Sequence, residues 1–271
     1  MSIITISRGS LAAGQTLAEM VAQRLGYRCV GSEALTQAAG QHGIPEPEVT
    51  RMLEKRPTFW ERLSVSRDWH LTVLRMAMCE VAEAGDVVYH GLAGHELLQG
   101  VSHLLKVRVI APMDQRLKSV MEGQRLSAEA AQRWIDQVDH DRLQRMRYLF
   151  GIDWRDPALY DVVLNLAHMS LDSAAATVVE LAARPEFQPT VQSAKALRDM
   201  ALASRVKATV LEQFPGAAID VQADDGRVSV NGNVQALADE REPLIAMVKG
   251  LPGVQSVQAE LSFQAMPYAQ L

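Results

Sequence analysis

Cysteine is nearly absent, with Cys29 and Cys79 the only two among 271 residues. They fall in different expected elements and match neither a disulfide framework nor a zinc pattern, so both are expected as reduced core thiols. Lysine does not occur before Lys55, and the cations near the start are arginines, Arg8 and Arg24 among them. No segment approaches the length of a membrane span. A basic leader followed by an apolar stretch is missing too, and the expected location is cytoplasmic. A net charge of −5 argues against general nucleic-acid binding or attraction to anionic membranes, while leaving room for a local basic pocket. What remains, 48% hydrophobic and 22% charged residues, is the make-up of a soluble globular chain. Its length suits one large domain, or a medium one with a small one.

The chain is organised around its first strand and the turn behind it. Ile3 to Ile6 is a short β-branched run that reads as a buried strand, and Leu17, Met20, Val21 and Leu25 then recur at helical spacing. Strand, small-residue turn and helix together aim backbone N–H groups and a helix N-terminus at a bound phosphate. Gly9, Gly14 and Thr16 follow the phosphate-loop spacing G-x-x-x-x-G-K-[ST], with Gln15 where the lysine belongs. An ordinary tight strand–helix turn would need small residues as well. On these residues alone both readings stay open.

Further along, strands and helices alternate. Tyr27 to Val30, Val87 to Tyr89, Leu104 to Ile110 and Tyr160 to Asn165 read as strands. Helices are expected from Ser32, from Pro45, over Phe59–Ala84 with Arg67 interrupting the apolar stripe, from Asp114, from Ser127 and from Ser170. The stripe expected after Ser127 is Ala131, Trp134, Ile135, Val138, Met146 and Leu149, with the Trp and Met residues in the core. Such alternation makes a parallel α/β sheet whose ligands sit at the carboxyl ends of the strands. Residues 185–194 carry Pro185 and Pro189 without periodicity and read as a linker. Beyond it the pattern becomes helix, hairpin, helix, strand, with Asp224-Asp225-Gly226 as the hairpin turn.

Several dispersed segments then carry a resemblance. Ile4-Thr5-Ile6-Ser7-Arg8, Glu33, the turn Val87-Val88-Tyr89-His90-Gly91 with Gly94, the run Asp139-His140-Asp141-Arg142 with Arg145, and Tyr160-Asp161-Val162-Val163-Leu164-Asn165 with Ser170 occur in family order. Residues 1–184 thereby resemble the cytidylate-kinase-like family of P-loop nucleoside monophosphate kinases. Residues 195–265 resemble a BON domain, through the Asp225-Gly226-Arg227-Val228 hairpin with Gly232 and the Gly253-Val254 close. The implied fold is a P-loop NTPase-type α/β domain, a parallel sheet flanked by helices, plus a small C-terminal α+β domain of αββαβ order.

The resemblance implies phosphoryl transfer from ATP, with Mg²⁺, to CMP or a similar nucleotide. It implies nucleotide contacts from Gly9, Ser10, Ala13, Gly14, Thr16 and Glu33, with Thr16 also toward the metal. Gln15, Arg142 and Arg145 stand at the catalytic positions, the arginines as a lid beside Arg147. The alternative for that arginine run is a solvated helix face, with Asp139 and Asp141 pairing locally. His90 and His95 lack a third metal ligand. For the C-terminal domain the resemblance implies a lipid, another ligand or a protein partner. The departures gather at the chemistry: Gln15 for a cation, Leu11-Ala12-Ala13 for a glycine-rich loop, Leu92 for an arginine, and Gly31-Ser32 where an aspartate is usual. Each removes charge from a site for a strongly anionic ligand, so the expected activity is weak, and the competing expectation is an inactive nucleotide-sensing or scaffolding protein.

Overall fold

A computed structural model describes residues 2–8, 13–41, 44–58, 66–234, 236 and 238–263. Its first half is a five-stranded parallel sheet. The strands are β1 (Ile3–Arg8), β2 (Arg28–Val30), β3 (Val87–His90), β4 (Leu104–Ile110) and β5 (Val162–Asn165), in the order β2-β3-β1-β4-β5. β1 lies at the centre, with both its faces buried. Ile4 and Ile6 enter one core with Leu17, Val21, Val107 and Val178, and Ile3 enters another with Leu35, Met52, Leu74 and Met78. A parallel strand covered on both sides has no solvent face, which is why even Thr5 and Ser7 are buried, at 3% exposure each.

Among the described residues, helices α1 (Ala13–Leu25), α2 (Ser32–Gln41), α3 (Glu46–Glu54), α4 (Ser66–Glu83), α5 (Gly94–Leu97), α6 (Met113–Gln124), α7 (Ala128–Phe150) and α8 (Leu171–Ala182) belong to this part. α1 and α8 contribute to the first of those cores, and α2, α3 and α4 to the second. The helix expected from Phe59 begins, within the described residues, at Ser66; Phe59, Trp60 and Leu63 lie outside them. Arg67 breaks the stripe because its guanidinium leaves the helix, donating from Nε and Nη2 to the Leu149 carbonyl at 3.3 and 3.0 Å. Ser127 caps α7 by accepting from the Ala130 N–H. One expectation about α7 fails. Trp134 is 37% exposed, because the early part of α7 packs in a narrow seam of Val120, Ala131 and Ile135. Met113, Met121 and Met169 are exposed as well, so the methionines do not all belong to the core.

The second half is a three-stranded sheet. β6 (Ala218–Asp224) and β7 (Arg227–Val234) pair antiparallel, and β8 (Ser256–Phe263) joins β7 in parallel. The turn is Asp225-Gly226, both with positive φ (47° and 81°), which suits the twist of a two-residue hairpin. A Cβ on Gly226 would also sit 2.7 Å from Gln255 Cγ. Helices α9 (Val191–Gln213) and α10 (Arg241–Lys249) cover this sheet, giving the expected αββαβ order. The stretch expected as a linker is folded. Residues 185–187 form a 3-10 turn, the Gln188 amide donates to the Ala182 carbonyl at 2.6 Å, and Thr190 and Ser193 form a capping box that starts α9. α9 then serves both halves, sending Leu197 and Ala201 into the core beneath the large sheet and Leu202, Val206, Val210 and Leu211 into that of the small one.

A buried polar group lies beside the large sheet. His95 is 3% exposed, its ring 4.8 Å from that of Tyr160 and its Nε2 3.7 Å from Glu96 Oε1. Burial first, then Lys106 and Arg108, push the imidazole down to about 4 from 6.5, so it stays neutral in the fold. The unfolded chain would take up that proton at the higher pH, so His95 favours the folded state above about 6.5 and loses this contribution as pH falls to about 4. A gap of that size is worth about 3 kcal/mol. Burial pushes the Glu96 carboxyl up, which works in the opposite sense, so the test is a comparison. Chemical denaturation at stepped pH should show wild type losing stability relative to His95→Gln between pH 6.5 and 4. Parallel curves would refute the assignment.

Candidate functional site

A cleft opens at the carboxyl ends of β1 and β3, where the strand order reverses. In open parallel sheets this is the place for a ligand. Gly9, Ser10, Leu11 and Ala12, which join β1 to α1, lie outside the described residues. α1 then brings Ala13 half-buried, Gly14 buried, and Gln15 and Thr16 exposed. The Gln15 amide donates to Glu19 Oε1 at 3.0 Å, one turn along the same helix.

The β3 side is built around Tyr89. Its hydroxyl donates to the Leu92 carbonyl at 3.2 Å, closing the turn onto its own ring. A Cβ on Gly91 or Gly94 would stand 2.5 Å from Tyr89 atoms, so both glycines are required for packing. The Gly91 N–H donates to the Ile6 carbonyl at 3.3 Å, which ties this turn to the end of β1. At the start of α2, Glu33 is held in place as Gly31 N–H donates to its Oε1 at 2.7 Å.

These elements enclose a cavity of 140 Å³ lined by Gln15, Ser32, Glu33, Leu53, His90, Gly91, Leu92 and Arg142. Gln15, Glu33 and Arg142, far apart in sequence, come together there. Thr16 is exposed on α1 and is not in that lining. Arg145 does not join the cleft. It is 0% exposed, and its guanidinium donates to the carbonyls of Lys55 and, at 3.0 Å, Arg51. Those carbonyls close the end of α3, where a helix presents unsatisfied acceptors and partial negative charge. Arg145 thus has a structural engagement at the end of α3 and is outside the cavity lining. Arg147 turns away as well, 3.7 Å from Asp153, and Asp139 accepts from Arg116 at 2.6 Å instead of pairing only along its own helix.

Ser32, Leu53 and His90 complete the cavity, and of these Leu53 had not been singled out. His90 belongs to the turn that carries the resemblance and Ser32 to the pair where an aspartate is usual; Leu53 carried no signal beyond its apolar character. Arg108, which reads as the polar face of a strand, is 8% exposed, and its guanidinium stacks 4.6 Å over the Trp154 ring. It pairs in register with Ser7 on β1, and Tyr160 Oη lies 3.2 Å from Ser7 Oγ and donates to the Trp154 carbonyl at 2.8 Å. This buried cation and its aromatic neighbours brace the last residues of β1 beside the cleft.

A parallel sheet in this order, with a glycine-bearing connection after its central strand, defines the P-loop kinase type of α/β domain. The profile of the cytidylate kinase-like family matches residues 3–168, and that of the BON domain matches residues 198–265. The chain belongs to the cytidylate kinase-like family and carries a BON domain behind the kinase-like one. It is 27% identical over 179 residues to the cytidylate kinase of Methanopyrus kandleri, covering 63% of this chain and 87% of that one. The cytidylate kinase of Thermococcus kodakarensis is 25% identical over 179 residues, covering 65% of this chain and 85% of its own. A crystal structure of an uncharacterized protein from Eubacterium ventriosum matches with a TM-score of 0.53 at 16% identity, over 68% of this chain and 100% of the other. That likeness is one of fold alone.

Proposed function

We propose that the kinase-like domain binds ATP and CMP, or a similar nucleoside monophosphate, and transfers the γ-phosphoryl group slowly. In that step the bond between the γ-phosphorus and the β,γ-bridging oxygen breaks, and an oxygen of the acceptor phosphate bonds to the γ-phosphorus. The observation that carries the reading is the convergence of Gln15, Glu33 and Arg142 on one cavity at the switch point of the sheet. Arg142 brings a cation suited to bidentate phosphate contacts. Glu33, locked on Gly31, is fixed to accept hydrogen bonds from a base or sugar. Backbone N–H groups at the start of α1, around Ala13 and Gly14, favour a phosphate without any lysine. Thr16 has an exposed hydroxyl in that segment and would hold Mg²⁺, an ion that takes few protein ligands and completes its shell with phosphate oxygens and water. When bound, Mg²⁺ would neutralise charge on the β- and γ-phosphates.

A second reading has its own support: Gln15 and Leu92 leave the cleft without two cations the family usually places there. The domain would then sense nucleotide without turning it over, and the BON domain would contact a lipid, another ligand or a protein. Among the described residues no helix is long and apolar enough to cross a membrane. The location proposed for either reading is the cytoplasm.

Calorimetric titration with ATP, CMP or buffer, with and without Mg²⁺, tests the shared premise. Saturable binding is expected, with Arg142→Ala weakening it about tenfold or more, the worth of a charge-assisted hydrogen bond. Absence of heat for either nucleotide would leave the cleft a remnant of the fold. Binding that Arg142→Ala leaves unchanged would remove that residue from the site.

A further inference from the structure

A second cavity, of 530 Å³, lies between the two domains and away from the nucleotide cleft. Its walls are one face of α4, one face of α9 and the edge strand β6. This is the size and the position in which small-molecule sites are usually found. Most of its charges are already matched. Lys207 Nζ donates to Asp68 Oδ1 at 2.8 Å, Asp199 accepts from Lys195 at 2.6 Å and from the Asp225 N–H at 2.9 Å, and Asp220 accepts from the Gln222 amide at 3.0 Å.

Arg75 is the exception. Its Nε is shielded from solvent and has no hydrogen-bond partner among the described residues, nor does its guanidinium form an ion pair among them. Arg116 and Arg205 also have a shielded Nε without a partner, but Arg75 is the one on the wall of this groove. Glu96 feels the charge of Arg75, but no described group accepts from its shielded Nε, and leaving a charged donor there unpaired is costly. Thr72 lies one turn before it on α4, and Ser204 lines the facing helix; they are 5% and 7% exposed. Leu71, Met200 and Ala203 add an apolar strip.

We propose that this groove binds a small monocarboxylate with an apolar body. Its carboxylate is held by Arg75 beside the hydroxyls of Thr72 and Ser204, and its body lies along Met200 and Ala203. A guanidinium and a carboxylate match in planar, bidentate fashion. The three aspartates in the same wall raise the cost of every added negative charge, so a monocarboxylate is favoured over a ligand carrying two or more. The site stands independently of phosphoryl transfer.

The test is a titration of the full chain followed through arginine Nε–Hε resonances, with the Arg75 signal assigned by its loss in Arg75→Lys. Hexanoate is the probe, with 1-hexanol, inorganic phosphate and phosphatidylglycerol vesicles as the other arms. The expected result is a saturable shift of the Arg75 signal with hexanoate alone. Calorimetry should find hexanoate binding about tenfold weaker in Arg75→Gln. Ser204→Ala, which leaves Arg75 in place, should also weaken it. No movement of the Arg75 signal with hexanoate overturns the proposal. So does a response to hexanol equal to that with hexanoate, which would make the groove merely greasy. A response confined to phosphate or to vesicles overturns it too, assigning the groove to a phosphate or a lipid headgroup.

Discussion

Arg145→Ala is expected to lower the stability of the folded chain by about 3–5 kcal/mol, and Arg142→Ala by less than about 1 kcal/mol. Both arginines sit on α7 three residues apart, and sequence alone gives them the same role. Arg145 is fully buried and satisfies the Arg51 and Lys55 carbonyls at the end of α3. Each hydrogen bond from a charged donor contributes about 1.5–3 kcal/mol, and its loss leaves a buried acceptor without a partner. Arg142 is half-buried at the rim of the cleft, where charged contacts are screened and weak. Urea denaturation should separate the variants by midpoint at unchanged slope. The nucleotide titration should separate them the other way, with Arg142→Ala folded but poor at binding. Two equally stable variants would mean that the α3 carbonyls do not depend on Arg145.

Gln15→Lys is expected to raise phosphoryl transfer to CMP by one or two decades. A cation at this position would touch phosphate oxygens as charge builds on them, and glutamine offers a hydrogen bond without that charge. A hydrogen bond involving a charged group contributes about 1.5–3 kcal/mol, and about 1.4 kcal/mol is tenfold in rate. Glu19 is the nearest competitor among the described contacts of Gln15, since it accepts from the Gln15 amide at 3.0 Å and would pair with a lysine there. An exposed pair at this spacing is worth about 0.2–0.5 kcal/mol, too little to hold the new ammonium back from a phosphate. The readout is ADP formation in the presence and absence of CMP. A wild type as fast as an ordinary kinase, unmoved by the substitution, would mean another cation does this work. Two inert proteins that both bind nucleotide would decide for sensing.

The sheet was legible in the sequence because its inner strands are covered on both faces. Ile3 to Ile6 and Val87 to Tyr89 are short, mostly β-branched runs without a charged residue, and Asp225-Gly226 announces its hairpin through the positive φ both residues adopt. What stayed hidden depends on neighbours distant in the chain. Helical spacing gives the direction of Arg145, but only the end of α3 determines that this direction is inward. Trp134 has the spacing of a core residue, yet the seam beside it is too narrow to cover it. Arg108 alternates like a solvent-facing strand residue and is buried because Trp154 and Tyr160 fold over it. In the cleft, Gln15, Glu33 and Arg142 could be picked from motifs, whereas Leu53 entered through packing alone. Pro185 and Pro189 punctuate the chain as a linker would, but the turn they shape is pinned at both ends.

The two domains meet inside one continuous helix, and that makes their mutual orientation a matter of phase. α9 is 23 residues long, about 35 Å at 1.5 Å per residue, and the change of allegiance falls between Ala201 and Leu202. A helix does not swivel as a loop does. One residue added between those two positions would swing the small domain by about 100° around the helix axis and push it about 1.5 Å outward. Seven residues, close to two full turns, would nearly restore its bearing at a distance about 10 Å greater. The chain thus keeps its second domain at a fixed compass bearing over the first, set by residue count.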